Sequence, residues 1–307
     1  MNDAVIGLLL TCGVGLLWSF VGVYFKLMAN WKLNPYNVNI ITVLIGIVIN
    51  LTFVTKTGDF ISGKMLFPTW GYVLFVMMAS FINASGSYIL QHSMLYGKSG
   101  VTWAIGQSAL IIPFFCITIL YSEPWNLFKL AGTGAIVAGM ITIAIRNMQK
   151  SQAADAPNPR YGLQLALAAF VVLGIAQSMT SATSFLSYSD PGVCRPLITG
   201  IGGLFAAIAG KIYLKDKGFY FPKKLYPVAL LLAIQSVVVT VMQFFALDHL
   251  KACGMNGIFF PVAIGLCIAG YSIWSVLFFK EKSSRLFYAG VAMILAGIAG
   301  FCVTVQL

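Results

Sequence analysis

The stretch LQHSMLYGKSGVTWAIGQSALIIPFFCITILYSEPWNLFKLAGTGAIVAG, residues 90–139, has a second version in LDHLKACGMNGIFFPVAIGLCIAGYSIWSVLFFKEKSSRLFYAGVAMILAG, residues 247–297. Glu123, Gly132 and Gly139 of the first return as Glu281, Gly290 and Gly297, each shifted by 158 positions. Leu90, His92, Gly97 and Gly100 return as Leu247, His249, Gly254 and Gly257, shifted by 157. In both copies a polar turn separates apolar runs. Repetition of this kind marks an internal duplication, and a duplication sets architecture before local propensity does.

Outward from the repeat the chain is greasy. Of 307 residues 59% are hydrophobic and 9% are charged, with a mean hydropathy of +0.90; soluble domains carry charge on about a quarter of their residues. Every charge falls outside ten windows, 4–25, 33–55, 65–97, 99–122, 130–145, 161–189, 196–210, 225–247, 252–279 and 286–307. A lipid-spanning helix needs about 20 mostly apolar residues, because hydrocarbon offers no partner to a bare backbone group. The windows therefore predict an all-α membrane protein of ten transmembrane helices. Windows 130–145 and 196–210 are short, and reach full length if Lys129 and Lys211 sit inside helix ends and snorkel to the interface.

The first window lacks a basic leader and a small-residue cleavage site, so it reads as span 1. Cys12, Cys116, Cys194, Cys253, Cys267 and Cys302 are scattered without a Cys-x-x-Cys pair and predict neither disulfide framework nor metal site. The net charge of +11 is a topology signal: loops after odd-numbered spans hold 14 Lys and Arg, and loops after even-numbered spans hold 5. The positive-inside rule then puts both termini on the non-cytoplasmic side of a plasma membrane, bacterial inner membrane by type. The lipid bilayer and a small molecule are the expected partners; nucleic acid is not, and the chain is expected as a monomer or homodimer.

Residues 147–160, NMQKSQAADAPNPR, form the one extended polar stretch and read as a linker between residues 1–146 and 161–307. Five spans on each side is an odd number, so the halves must lie in opposite orientations, as two inverted five-helix repeats.

Polar stripes inside the spans give the candidate site. Thr11, Gly15, Trp18 and Gly22 share one face of span 1, and Trp18 lies too deep for an interfacial belt. Span 3 carries Ser80, Asn83, Ser87 and Gln91 on one stripe beside Tyr88. The serines suit interhelical hydrogen bonds, and the amides of Asn83 and Gln91 suit a wet cavity. Span 4 offers Trp103 and Gln107, span 6 Gln177 and Ser181, span 8 Thr240 and Gln243, and span 9 Asn256, Tyr271 and Trp274. Span 2, otherwise apolar around Asn39 and Asn50, is expected outside. Pro113 in span 4 and Pro261 in span 9 each remove an amide, and a shift of 158 takes Pro113 to Tyr271, so the halves should bend unequally. Glu123 and Glu281 precede spans 5 and 10, where a carboxylate suits the positive helix end. For proton coupling the titratable candidates are His92 and the Asp248–His249 pair.

A glutamate ending the fourth helix of each half, followed by a helix whose glycines recur after seven residues, resembles the EamA-like drug/metabolite transporter superfamily. The glutamine-bearing third helix and the eighth are similar to the glucose/ribose and rhamnose porter branch. The resemblance implies a secondary carrier whose cavity is lined by helices 1, 3, 4, 6, 8 and 9, with 5 and 10 as support. Related small multidrug exporters carry a glutamate in helix 1, whereas residues 4–25 contain no acid. No Gly-x-Ser-x-Gly and no His-Glu-x-x-His occurs, so no enzyme and no cofactor is expected. The expected function is transport of a small polar metabolite, sugar-like, by alternating access. Its rival is export of amino acids or amphipathic drugs along an aromatic lining.

Overall fold

The computed structural model describes residues 2–31, 33–54, 69–96, 105–124, 126–150, 158–186, 191–213, 221–279 and 285–304. Among them are ten α-helices: α1 (Asp3–Asn30), α2 (Pro35–Ile49), α3 (Trp70–Tyr96), α4 (Ile111–Leu120), α5 (Leu127–Lys150), α6 (Pro159–Ala182), α7 (Pro191–Tyr213), α8 (Leu225–Ala252), α9 (Phe259–Phe279) and α10 (Arg285–Thr304). A π turn, Asn50–Val54, extends α2, and 3₁₀ turns at Ser108–Leu110 and Asn256–Ile258 lead into α4 and α9. Six helices, α1, α2 with its π turn, α3, α6, α7 and α8, are long and apolar enough to cross a membrane, and α4, α5, α9 and α10 carry shorter apolar stretches. Composition and helices together are those of a multi-pass membrane protein.

Helix starts follow from local chemistry. Asn34 accepts from the amides of Tyr36 at 2.9 Å and Asn37 at 3.3 Å, with Pro35 at the first helical position of α2. Asn158 and Pro159 open α6 the same way, through the Tyr161 amide at 3.1 Å. Asparagine satisfies amides that have no intrahelical partner, and proline has none to satisfy. Helix α8 stops at Gly254, whose φ of +64° turns the chain while the Met255 amide reaches back to the Leu250 carbonyl at 2.8 Å.

The helix contacts come in matched sets. Helix α1 packs on α8 and α9, and α6 on α3 and α4; α2 packs on α8, and α3 on α7. Two further pairs are α2 with α7 and α5 with α10. The α5·α10 contact is glycine against glycine. A Cβ on Gly132 would stand 2.8 Å from the Gly297 carbonyl oxygen, and one on Gly139 2.6 Å from that of Gly290. Early glycine meets late glycine, so α5 and α10 run antiparallel. So do α2 and α7, where Gly200 faces Ile47 and Lys211 donates to the Asn37 side chain.

A charged clasp ties the α4–α5 turn to the α8–α9 turn. Glu123 accepts from the Gly257 amide at 2.8 Å and from the Asn256 amide, and the Lys129 ammonium donates to the Gly254 carbonyl at 2.8 Å. The carboxylate thus caps the start of α9 in the other half, and not its own following helix, α5. Burial pushes the Glu123 carboxyl up, while the two amides and Lys129 pull it back down. Its repeat partner, Glu281, lies outside the described residues.

Four expectations change. Lys129 and Lys211 do not snorkel: both are buried and spend their ammonium groups on protein oxygens. The edges of the linker are helical, since α5 runs to Lys150 and α6 begins at Pro159. Pro113 and Pro261 are equivalent after all, each the third residue of its helix behind a 3₁₀ turn. A uniform shift hid this because α4 has 10 residues where α9 has 21. Finally, α2 is not peripheral, being packed between α7 and α8.

Replacing Gly139 with alanine should lower the apparent melting temperature in detergent, by the equivalent of about 1–3 kcal/mol of overpacking. Gly134→Ala, where an added Cβ meets nothing within 4 Å, should leave the melting temperature unchanged or raise it.

Candidate functional site

Between α1, α2, α3, α6, α7 and α8 lies a cavity of about 270 Å³, close to the smaller small-molecule sites, which run from about 300 to 1,000 Å³. Glycine makes the room: Gly46 on α2 and Gly200 and Gly203 on α7 line it, with no side chain to fill it. Around them the wall is hydroxyl and amide: Thr42, Asn50, Ser80, Asn83, Thr180, Thr183, Thr199, Ser236, Thr240 and Gln243. Trp18 and Phe244 supply ring surface. No lining residue is charged.

Most wall hydroxyls are already committed as donors. Ser80 donates to the Thr199 carbonyl at 2.6 Å, joining α3 to α7; Thr180, Thr183 and Thr240 donate to their own helices, to Ala176, Thr180 and Ser236, at 2.7 to 2.9 Å. A hydroxyl has one proton to give and two lone pairs to offer. These four hydroxyls therefore face the cavity as acceptors, while the Thr42 hydroxyl keeps its proton and the Asn83 and Gln243 amides add donors of their own.

Of the residues expected at the site, Trp18, Asn83, Thr240 and Gln243 line the cavity. Tyr88 is occupied, its hydroxyl accepting from the Asn39 amide at 3.2 Å and its ring set 5.0 Å from that of Tyr36. Gln91 lies beyond it on α3 and Gln107 sits before the 3₁₀ turn of α4; neither borders the cavity. Gln177 and Ser181 are buried on α6 but are not lining residues. Helix α9 contributes nothing to the wall: Asn256 bonds the Leu247 carbonyl at 2.9 Å, Tyr271 packs against Gly22, and the Trp274 indole donates to Ser19 at 2.8 Å. Its rings instead pack along α1, where Trp274 stacks on Phe20. Trp103 lies outside the described residues.

Sequence reasoning missed the walls from α2 and α7. Polarity was the search signal, and these walls are mostly glycine, proline and valine, with Thr42, Asn50 and Thr199 as their polar residues. The glycines at positions 46, 200 and 203 were the available sign.

A second feature went unread because it involves an arginine at the edge of a window. Arg195 is fully buried at the start of α7, where its guanidinium grips both oxygens of Asp248 on α8. It also donates to Thr183 and Ser184, both at 3.4 Å, and sits over the Phe244 ring at 4.6 Å. Planar donors make such bidentate grips. Asp248 is thus held by a cation, and His249, its neighbour, meets Asp3 at 3.0 Å instead. His92 stands 5.2 Å from Tyr96, ring to ring, near the far end of α3. Arg195 and Asp248 thus place a paired charge beside the cavity, since Pro196, Thr183 and Phe244, which adjoin or touch Arg195, line it.

No family model and no curated protein matches this sequence. Among solved structures 29 chains match, and one described as "Crystal structure of protein" aligns with a TM-score of 0.73 over 97% of this chain and 98% of its own. At 13% identity the likeness is one of fold.

Removing Asp248 takes the counter-charge from a buried guanidinium. Asp248→Ala should therefore destabilise the protein by about 3–5 kcal/mol, whereas Arg195→Met with Asp248→Leu should recover most of that loss. Melting in detergent, with both variants beside the native chain, measures the difference.

Proposed function

We propose that this protein is a secondary carrier of a small, uncharged, polar metabolite, with sugars the favoured class. In this reading its ten helices all span the membrane, as two inverted five-helix halves of the EamA-like drug/metabolite transporter type. The observation that carries the reading is the cavity. It is uncharged, lined with hydroxyl and amide groups, and bordered by helices of both halves. Polar groups held in hydrocarbon are costly, so a wall of them is retained for what it binds.

The antiparallel α2·α7 and α5·α10 contacts support the inversion. So do the cavity's two ends. Gly46 faces Val237 and Gly202 faces Ser80, so α2 maps on α7 with a shift of 156 while α3 maps on α8 with 157. In that register Arg195 corresponds to Asn39, and Asp248 to Gln91, one turn beyond Tyr88. At one end Arg195 and Asp248 join α7 to α8; at the other Asn39 and Tyr88 join α2 to α3. Rocking of one half against the other would open one closure while the opposite one holds, which is alternating access.

Export of amphipathic compounds has less support. Of the aromatic residues expected to line its path, Tyr88 and Trp274 are bonded elsewhere, Tyr271 packs on Gly22 and Trp103 lies outside the described residues; the cavity's ring surface comes instead from Trp18 and Phe244.

Uptake of labelled hexoses, amino acids and nucleosides into proteoliposomes tests the reading. The expected result is saturable sugar uptake that falls about tenfold for each hydrogen bond removed by Asn83→Ala or Gln243→Ala. Uptake confined to amino acids, or none, would reject the sugar assignment.

A further inference from the structure

We propose that Thr42 and Asn50 of α2 form a subsite that recognises hydroxyl groups on the transported molecule, an inference that rests on the carrier reading. Both residues line the cavity, and both are nearly enclosed, Thr42 at 8% and Asn50 at 3% exposure. Thr42 Oγ1 and Asn50 Oδ1 are nevertheless without a hydrogen-bond partner. Buried polar atoms are almost always paired, so an orphan facing a cavity points to a partner that arrives from it.

The chemistry of that partner follows from the atoms. Asn50 donates its Nδ2 to the Gly46 carbonyl at 2.9 Å, which fixes the amide orientation and leaves the oxygen as the unpaired group. A carbonyl oxygen only accepts, so its partner must bring an O–H or N–H, and a carboxylate or phosphate oxygen brings neither. The Thr42 hydroxyl can give or take, and Ser80, Thr180 and Thr240 in the same wall have already given their protons to carbonyls. A molecule rich in hydroxyl groups meets both requirements, whereas an anion meets that of Thr42 alone and leaves the Asn50 oxygen unmet.

Spacing sets a length. Thr42 and Asn50 are eight residues apart, a rise of about 12 Å along a helix. Allowing a hydrogen bond of about 2.8 Å at each end, the ligand's two hydroxyls stand about 6 to 12 Å apart, the range from a single-ring sugar to a disaccharide. Helix α2 then discriminates between polyols that present hydroxyls at both ends and analogues deoxygenated at one.

Purified full-length protein in detergent, screened by thermal shift and equilibrium binding against hexoses, hexitols, disaccharides and their monodeoxy derivatives, tests the assignment. A wild-type ligand should bind Thr42→Val and Asn50→Leu at least tenfold more weakly, and Thr42→Ser, which keeps the hydroxyl, as well as wild type. Without ligand, Thr42→Val should melt no lower than wild type, since its hydroxyl holds nothing in place. Wild-type affinity in both Thr42→Val and Asn50→Leu, or a lower ligand-free melting temperature for Thr42→Val, overturns the subsite and leaves the carrier reading standing. Failure of every sugar and polyol to stabilise the wild type overturns both.

Discussion

A polar group surrounded by hydrocarbon has no solvent to fall back on, and that constraint organises this molecule. It explains why the wall hydroxyls of Thr180, Thr183 and Thr240 turn back to their own helix carbonyls. It explains why Lys129 and Lys211, read as groups that would reach for the interface, bury their ammonium groups against protein oxygens. It also explains why Glu123 crosses from one half to the other: the first amides of α9 have no intrahelical acceptor, and a carboxylate is the strongest available. Among the buried oxygens left without a hydrogen bond, those of Thr42 and Asn50 border the cavity, whereas those of Gln177, Ser181 and Asn256 do not.

Apolar helices gain little from hiding from lipid, so close packing must hold them together. Glycine does this in two opposite ways here. Gly132 and Gly139 bring α5 against α10 until backbone touches backbone, whereas Gly46, Gly200 and Gly203 leave space that nothing fills. One residue type serves both contact and cavity, and only its neighbours decide which.

That ambiguity marks how far the sequence could be read. Helix positions were legible, because charges punctuate the chain and each window between them became a helix. A glycine face on α5 and another on α10 were legible too, since glycines two turns apart in both copies had to face the same way, but not that the two faces meet. The cavity was half legible. Trp18, Asn83, Thr240 and Gln243 stood out as polar or aromatic at depth, while the α2 and α7 walls carried too few polar residues to register. Helix α9 misled for the opposite reason: the Asn256 amide nitrogen and the Trp274 indole both donate to neighbouring helices and neither residue borders the cavity. Polarity reports that a partner is needed and says nothing of whether it is a ligand. Arg195 was discounted as a loop charge, and one turn of extra helix placed it inside. The repeat register failed where α4 and α9 differ in length, which no constant offset can absorb.

Among the described residues neither α5 nor α10 borders the cavity, although they pack on each other backbone to backbone. What the protein recognises and how firmly it is assembled are therefore encoded in separate helices. Evolution can retune one without disturbing the other. On the proposed carrier reading, relatives that share this seam would be free to diverge in cargo, and a library built to redirect specificity could leave both helices untouched, concentrating its diversity on α2, α3, α7 and α8.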